Sequence, residues 1–190
     1  MFITNNGDYM TGGKFVFTGQ VAPSVDVASV TFSGINGDSD RLYGVSFLWR
    51  NPITGARKLL FQPNGSAPPA GSSMQVDEFE VLGAVALRAS DPDFGCAQLT
   101  AAAADTFVQG TAFFASQTVD FADGSPVGRA YEGRGYAEDQ AAIVGVQRRH
   151  FYRSGFWKEV HNVIESITII ANPAGNAIGA GSDFRLWRPT

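Results

Sequence analysis

The sequence predicts an all-β protein, an antiparallel β-sandwich of jelly-roll type, and three observations carry that expectation. Glycine fills 22 of 190 positions, well above the usual ~7%. Aromatic residues reach 12%, with 15 phenylalanines, while charged residues stop at 17% against a usual ~25%. Several segments also alternate with period two between clusters of turn formers, which is how strands read. A disordered chain, which needs low hydrophobicity and high net charge, is excluded by a hydrophobic share of 44%. A coiled coil is excluded as well, because the A/E/K/L/R enrichment it needs is missing.

Along the chain, Lys14-Phe15-Val16-Phe17 makes residues 1–19 an N-terminal arm or a first strand. Val25 to Phe32 alternates, and Gly34-Ile35-Asn36-Gly37-Asp38-Ser39-Asp40 is dense in turn formers. In Arg41 to Arg50 the residues Tyr43, Val45, Phe47 and Trp49 share one face, by type and by period. With Lys58 to Pro63 as the returning strand, residues 25–62 read as an antiparallel meander. Residues 63–73 are loop-like, Met74 to Ala89 suits helix or strand, and Ala101 to Ala104 suits a helical turn, so 66–105 reads as an insertion or loop region. Thr111 to Phe121, Arg129 to Tyr136, Ile143 to Val146 and His150 to Tyr152 return to β character. Val160 to Ala171 sets Ile167, Ile169 and Ala171 against Ile164, Ser166, Thr168 and Ile170, and Asp183 to Arg188 is a last strand. Strands with two apolar faces imply sheets packed on each other, within one domain covering residues 1–190.

Charge and addressing narrow the function classes. A net charge of −4 creates no field that attracts a polyanion, so nucleic acid is not an expected partner. Arg148-Arg149-His150 followed by Arg153 reads as an exposed basic strand end or loop. The single cysteine, Cys96, has no basic neighbour to lower its pKa and forms no intrachain disulfide, which fits synthesis in a reducing cytoplasm. No basic, apolar leader opens the chain, and no run approaches the ~18 apolar residues of a membrane span.

Catalytic signatures are sparse. The two histidines, His150 and His161, are too few for a multi-histidine metal centre. P-loop, G-x-S-x-G, G-x-G-x-x-G and H-E-x-x-H patterns do not occur. Asn36, Asp38 and Asp40 offer oxygens at alternate positions, as calcium loops do, though Asp38 and Asp40 read more simply as turn residues. A polysaccharide hydrolase would need two carboxylates roughly 5 to 9 Å apart, and the 18 acidic residues are scattered. The remaining chemical handle is aromatic. Trp157, Tyr131 and Tyr136 lie beside glycines and charges, with Arg134 between the two tyrosines. Aromatic faces stack on sugar rings while arginine bonds hydroxyls, so these four residues form a candidate glycan site; the competing reading is core or inter-subunit packing.

Trp157-Lys158-Glu159-Val160, Ile164-Glu165-Ser166-Ile167-Thr168-Ile169 and Ala177-Ile178-Gly179-Ala180-Gly181-Ser182-Asp183-Phe184-Arg185-Leu186-Trp187 form a recognisable series. It resembles a module recurrent in structural proteins of tailed bacteriophages: a tryptophan strand, an I-x-S-I-x-I strand, a G-I-G-x-G-S turn and a closing F-x-L-Y strand. Ala177 departs from the first glycine and Trp187 from the final tyrosine. Val30-Thr31-Phe32-Ser33-Gly34-Ile35 and Tyr43 to Phe47 are similar to the module's opening strands, with Pro63-Asn64-Gly65 as its turn. The likeness covers residues 20–62 and 110–188. It implies a jelly-roll-like sandwich displayed on a phage tail, fibre or head as decoration, synthesised in the host cytoplasm. It also implies assembly with copies of itself, as a trimer or higher, and with other virion proteins, no cofactor and no catalytic residues. The competing expectation is a carbohydrate-binding module that reads host surface glycans.

Overall fold

A computed structural model describes residues 9–10, 13–68, 72–80, 86–90, 95–102, 104–115, 119–120, 126–139, 147–158, 163–173 and 175–190. The strands are β1 (Tyr9–Met10), β2 (Gly13–Val21), β3 (Ser29–Ser33), β4 (Leu42–Asn51), β5 (Gly55–Pro63), β6 (Ser73–Glu80), β7 (Ala86–Ser90) and β8 (Gly95–Ala102). They continue with β9 (Thr106–Ala115), β10 (Val119–Asp120), β11 (Pro126–Asp139), β12 (Gln147–Trp157), β13 (Ser166–Asn172) and β14 (Asp183–Pro189). A single helical turn, α1 (Gly37–Asp40), precedes β4. Among the described residues no helix is long and apolar enough to cross a membrane.

The chain is an all-β sandwich of two antiparallel sheets. The larger has ten strands in the order β1-β2-β14-β4-β9-β11-β12-β6-β7, with β10 on the start of β11. The smaller runs β3-β13-β5-β8. Residues 25–62 are therefore not a meander: β3 and β5 belong to the small sheet and β4 to the large one. The reason is burial. Two strands that each hold an apolar face can pack face to face across a core instead of edge to edge. Within 66–105, read from the sequence as an insertion or loop region, the described residues include three strands. β6 pairs with β12 from Ser73 to Glu80, β8 pairs with β5, and Ala101 and Ala102 close β8 as strand. Met74 to Ala89 resolves as strand wherever it is described, because β12 offers it a ladder to complete. The first segment is a strand too, held against β14. Ile143 to Val146 lies outside the described residues.

Period-two burial fills the space between the sheets. Tyr43, Val45, Phe47 and Trp49 of β4 face Ile167, Ile169 and Ala171 of β13, and one cluster joins these with Phe184, Leu186, Phe114 and Phe61. In the middle of the large sheet the core is made by glycines opposite rings. A Cβ on Gly110 would lie 2.7 Å from both the Phe47 ring and the Arg134 carbonyl. One on Gly135 would lie 2.5 Å from the Phe151 ring and 2.9 Å from Gly110 Cα. Both rings rest on bare backbone.

One end of the sandwich is tied by the turn 175–182. Trp49 Nε1 donates to the Ala177 carbonyl at 2.7 Å, and Gly179 N–H donates to the Arg50 carbonyl at 2.8 Å. Arg50 N–H donates to Ser182 Oγ at 3.0 Å, and the Arg50 guanidinium reaches the Ala180 carbonyl at 3.0 Å and the Asp105 carboxylate. Gly181 holds φ +90°, a region that costs other residues roughly 1–2 kcal/mol. Pro63-Asn64-Gly65 is the expected turn, with Asn64 and Gly65 at φ 51° and 66°. Elsewhere Arg153, expected in an exposed basic end, is fully buried and donates to the Gly95 carbonyl of β8 at 3.1 Å, bridging the sheets. It occupies an inward position of β12, whereas His150 occupies an outward one.

The alternation along β11 gives a sharp comparison of neighbours. Gly135→Ala is expected to lower stability by about 1–3 kcal/mol through overpacking, and Arg134→Ala on the exposed face to stay within about 0.5 kcal/mol. Urea unfolding midpoints of the two variants measure the difference.

Candidate binding face

The four proposed glycan residues separate by parity. In β11, Tyr131 pairs with Phe114 of β9, and Arg134 and Tyr136 pair with Thr111 and Gln109. Tyr131 is therefore inside the sandwich, 5.6 Å from the Phe61 ring. Trp157 is fully buried, edge-on to Phe114 at 6.3 Å. Neither presents a ring face to a sugar, so both are corrected to core residues, and the glycine-flanked positions that signalled exposure are where rings lie over backbone. Arg134 and Tyr136 point away from the core. Arg134 is exposed and 3.8 Å from Glu132, and the half-buried Tyr136 ring lies 5.3 Å from His150.

That outer face runs across six neighbouring strands. One cross-strand row reads Asp183, Leu48, Gln109, Tyr136 and His150; the next reads Arg185, Ser46, Thr111, Arg134 and Tyr152. A third carries Phe17, Trp187, Phe113 and Glu132, with the Phe113 ring lying over Gly44. Trp187 is buried here, edge-on to Phe17 at 5.4 Å, and its Nε1 donates to Ser46 Oγ at 3.0 Å. Phe17 is 47% exposed, Phe107 44% and Leu48 39%. Leu48, Phe107, Gln109 and Tyr136 line an open depression of about 220 Å³.

Sequence reasoning passed over Leu48, Phe107, Gln109 and Tyr152. The signal was the complementary parity: once Tyr43 to Trp49 is taken as the core face, an apolar Leu48 must face out.

The outer face of the small sheet is different in kind. Ser29, Thr31 and Ser33 of β3 are exposed beside Ser166 and Thr168 of β13, and Thr31 and Thr168 share a hydroxyl hydrogen bond of 3.0 Å.

The Asn36, Asp38 and Asp40 alternation builds a capped turn. Asn36 Oδ1 accepts from Ser39 N–H at 3.4 Å, as an N-cap does. The Asp40 carboxylate accepts from the Tyr43 hydroxyl at 2.5 Å and from Arg188 at 3.0 Å. The Asn36 and Asp40 oxygens are thus engaged in hydrogen bonds within the protein. The Asp38 and Cys96 side chains and His161 lie outside the described residues. Among the described residues no three His, Cys, Asp or Glu side chains are gathered for a metal.

Burial pushes the Tyr43 hydroxyl pKa far above its ordinary 10.0, and the Asp40 hydrogen bond and charge add to the shift. No protein-family model matches the chain, no curated protein is similar to it, and no solved structure matches it.

The raised Tyr43 pKa sets a direction. Below pH 10 the hydroxyl is neutral in both states; above it the unfolded chain ionises first, so stability falls as pH rises. Tyr43→Phe is expected to lose the bond to Asp40, about 1.5–3 kcal/mol, and to decline less steeply above pH 10 in thermal melts.

Proposed function

We propose that the chain is a non-enzymatic structural component of a bacteriophage or phage-like particle. On this reading it stands on the tail, fibre or capsid surface and assembles with copies of itself and with other virion proteins. The observation that carries the proposal is the contrast between the two outer faces. A sheet face meant only for water is polar, as the hydroxyl face of β3 and β13 is. The face across β2, β14, β4, β9, β11 and β12 instead exposes Phe17, Leu48, Phe107 and Tyr152. Leu48 and Phe107 share one depression there with Tyr136, and exposed apolar groups gathered in this way mark an interaction site. The depression on it is open, which suits a broad contact better than an enclosed reaction.

The sandwich architecture and the turn at 176–182 support the same reading through the likeness to phage structural modules. Gly179 approaches Arg50, with a Cβ there 3.0 Å from the Arg50 carbonyl. Gly181 holds a positive φ, and Ser182 accepts from the Arg50 backbone. These roles give the motif a mechanical purpose.

A second reading has its own observation. Phe107 and Tyr136 with Gln109 in one depression combine aromatic surface with a hydrogen-bonding amide, and Arg134 stands beside them. That combination suits a sugar ring.

Mass spectrometry of gradient-purified particles from cultures that produce this protein is the direct test. Peptides of the chain are expected in intact particles, and their consistent absence from particles overturns the structural reading. For the glycan reading, Tyr136→Ala should abolish binding to host-surface glycans on an array while the melting temperature holds. Trp157→Ala is no test of it, because truncating a buried tryptophan costs about 3–5 kcal/mol.

A further inference from the structure

We infer that the occupant of the outer face of the ten-stranded sheet is the same face of a second copy of this chain. The inference rests on the structural-subunit reading and names its first partner. Three properties of the face point to a copy.

Its charges are already balanced. Arg185 lies 2.8 Å from Asp183 on β14, and Arg134 lies 3.8 Å from Glu132 on β11. Gln20 also donates to Asp183 at 2.7 Å. A face whose charges are paired within it meets its own image without repulsion of net charge, so a two-fold contact, in which one patch faces its own copy, carries no electrostatic penalty.

Its apolar groups extend across the sheet. Phe17 on β2 and Tyr152 on β12 flank Leu48 and Phe107, which share the depression between the neighbouring strands β4 and β9. Polar Ser46, Thr111 and Gln109 lie between them. Aromatic anchors among polar groups are the composition of a subunit contact.

Its size is sufficient. The ten-residue strands β4 and β9 run about 34 Å at ~3.4 Å per residue, and six strands span about 24 Å at ~4.8 Å spacing. The product, roughly 800 Å², is what one partner contributes to a standard stable interface.

Light scattering on the purified full chain tests the inference, with near-UV circular dichroism on every variant. The wild type is expected to contain two chains, or a larger even number. Leu48→Asp with Phe107→Asp should reduce that mass at least twofold, towards the 20.2 kDa of one chain. Tyr152→Arg, on a different strand of the same face, should do likewise and decides the matter if the double variant does not fold. Ser29→Lys on the hydroxyl face should leave the mass unchanged. A monomeric wild type, an odd number of chains, or folded outer-face variants of unchanged mass each overturn the inference, as does a monomer that binds sugars through Tyr136. A monomer found in purified particles overturns the face-to-face pairing alone. A dissociable pair never found in particles overturns the virion reading alone.

Discussion

Aromatic rings lying on bare backbone set the spacing of this sandwich. Phe47 rests on Gly110 and Phe151 on Gly135, at distances that leave no room for a Cβ. These glycines sit side by side in β9 and β11, paired in register at the middle of the ten-stranded sheet. Their lack of side chains lets rings from neighbouring strands turn over them and fill the gap to the small sheet. Because strands alternate with period two, putting Gly133 and Gly135 inside forces Glu132, Arg134 and Tyr136 outside. One packing requirement thus decides both the core and the composition of the outer face.

The two sheets are held in relation by connections that cross between them and by polar ties at their ends. Trp49 and Arg50 bind the turn 175–182 through both side chains and through the Arg50 backbone, so the last strand enters the sheet from a fixed corner. Farther along, Arg153 reaches from β12 to the Gly95 carbonyl of β8. A buried guanidinium is tolerated only with hydrogen bonds to charged or carbonyl oxygens. Asp40 gathers Tyr43 and Arg188, joining the helical turn to the start of β4 and the end of β14.

The asymmetry between the outer faces follows from this frame. In the small sheet Ser29, Thr31 and Ser33 of β3 and Ser166 and Thr168 of β13 turn hydroxyls outward, and Ile170 and Leu60 lie on the same side. The large sheet places aromatic and aliphatic side chains on its outer surface and pairs Arg185 and Arg134 with carboxylates of their own strands. The outer surface of the large sheet thus combines exposed apolar side chains with arginines already paired to carboxylates. The functional proposal and the self-pairing inference both depend on that distinction.

The sequence by itself determined the fold class and much of the local structure. Glycine content, the Tyr43 to Trp49 face, the Ile167 to Ala171 face and the turn at Asn64-Gly65 all express local rules of period and φ, and each is realised. What depended on the tertiary structure was which strand lies beside which, and so which side of a strand is inside. Residues 25–62 satisfied a meander and a two-sheet crossing equally, because alternation does not say across which gap an apolar face is buried. Tyr131 and Trp157 looked exposed beside glycines and charges, yet those glycines make room for rings in the core. Leu48 and Phe107 were hidden among core-like residues until register turned them outward. The physical reason is that period two fixes only that neighbours differ in face. The sign of the alternation is set by partners distant in the chain.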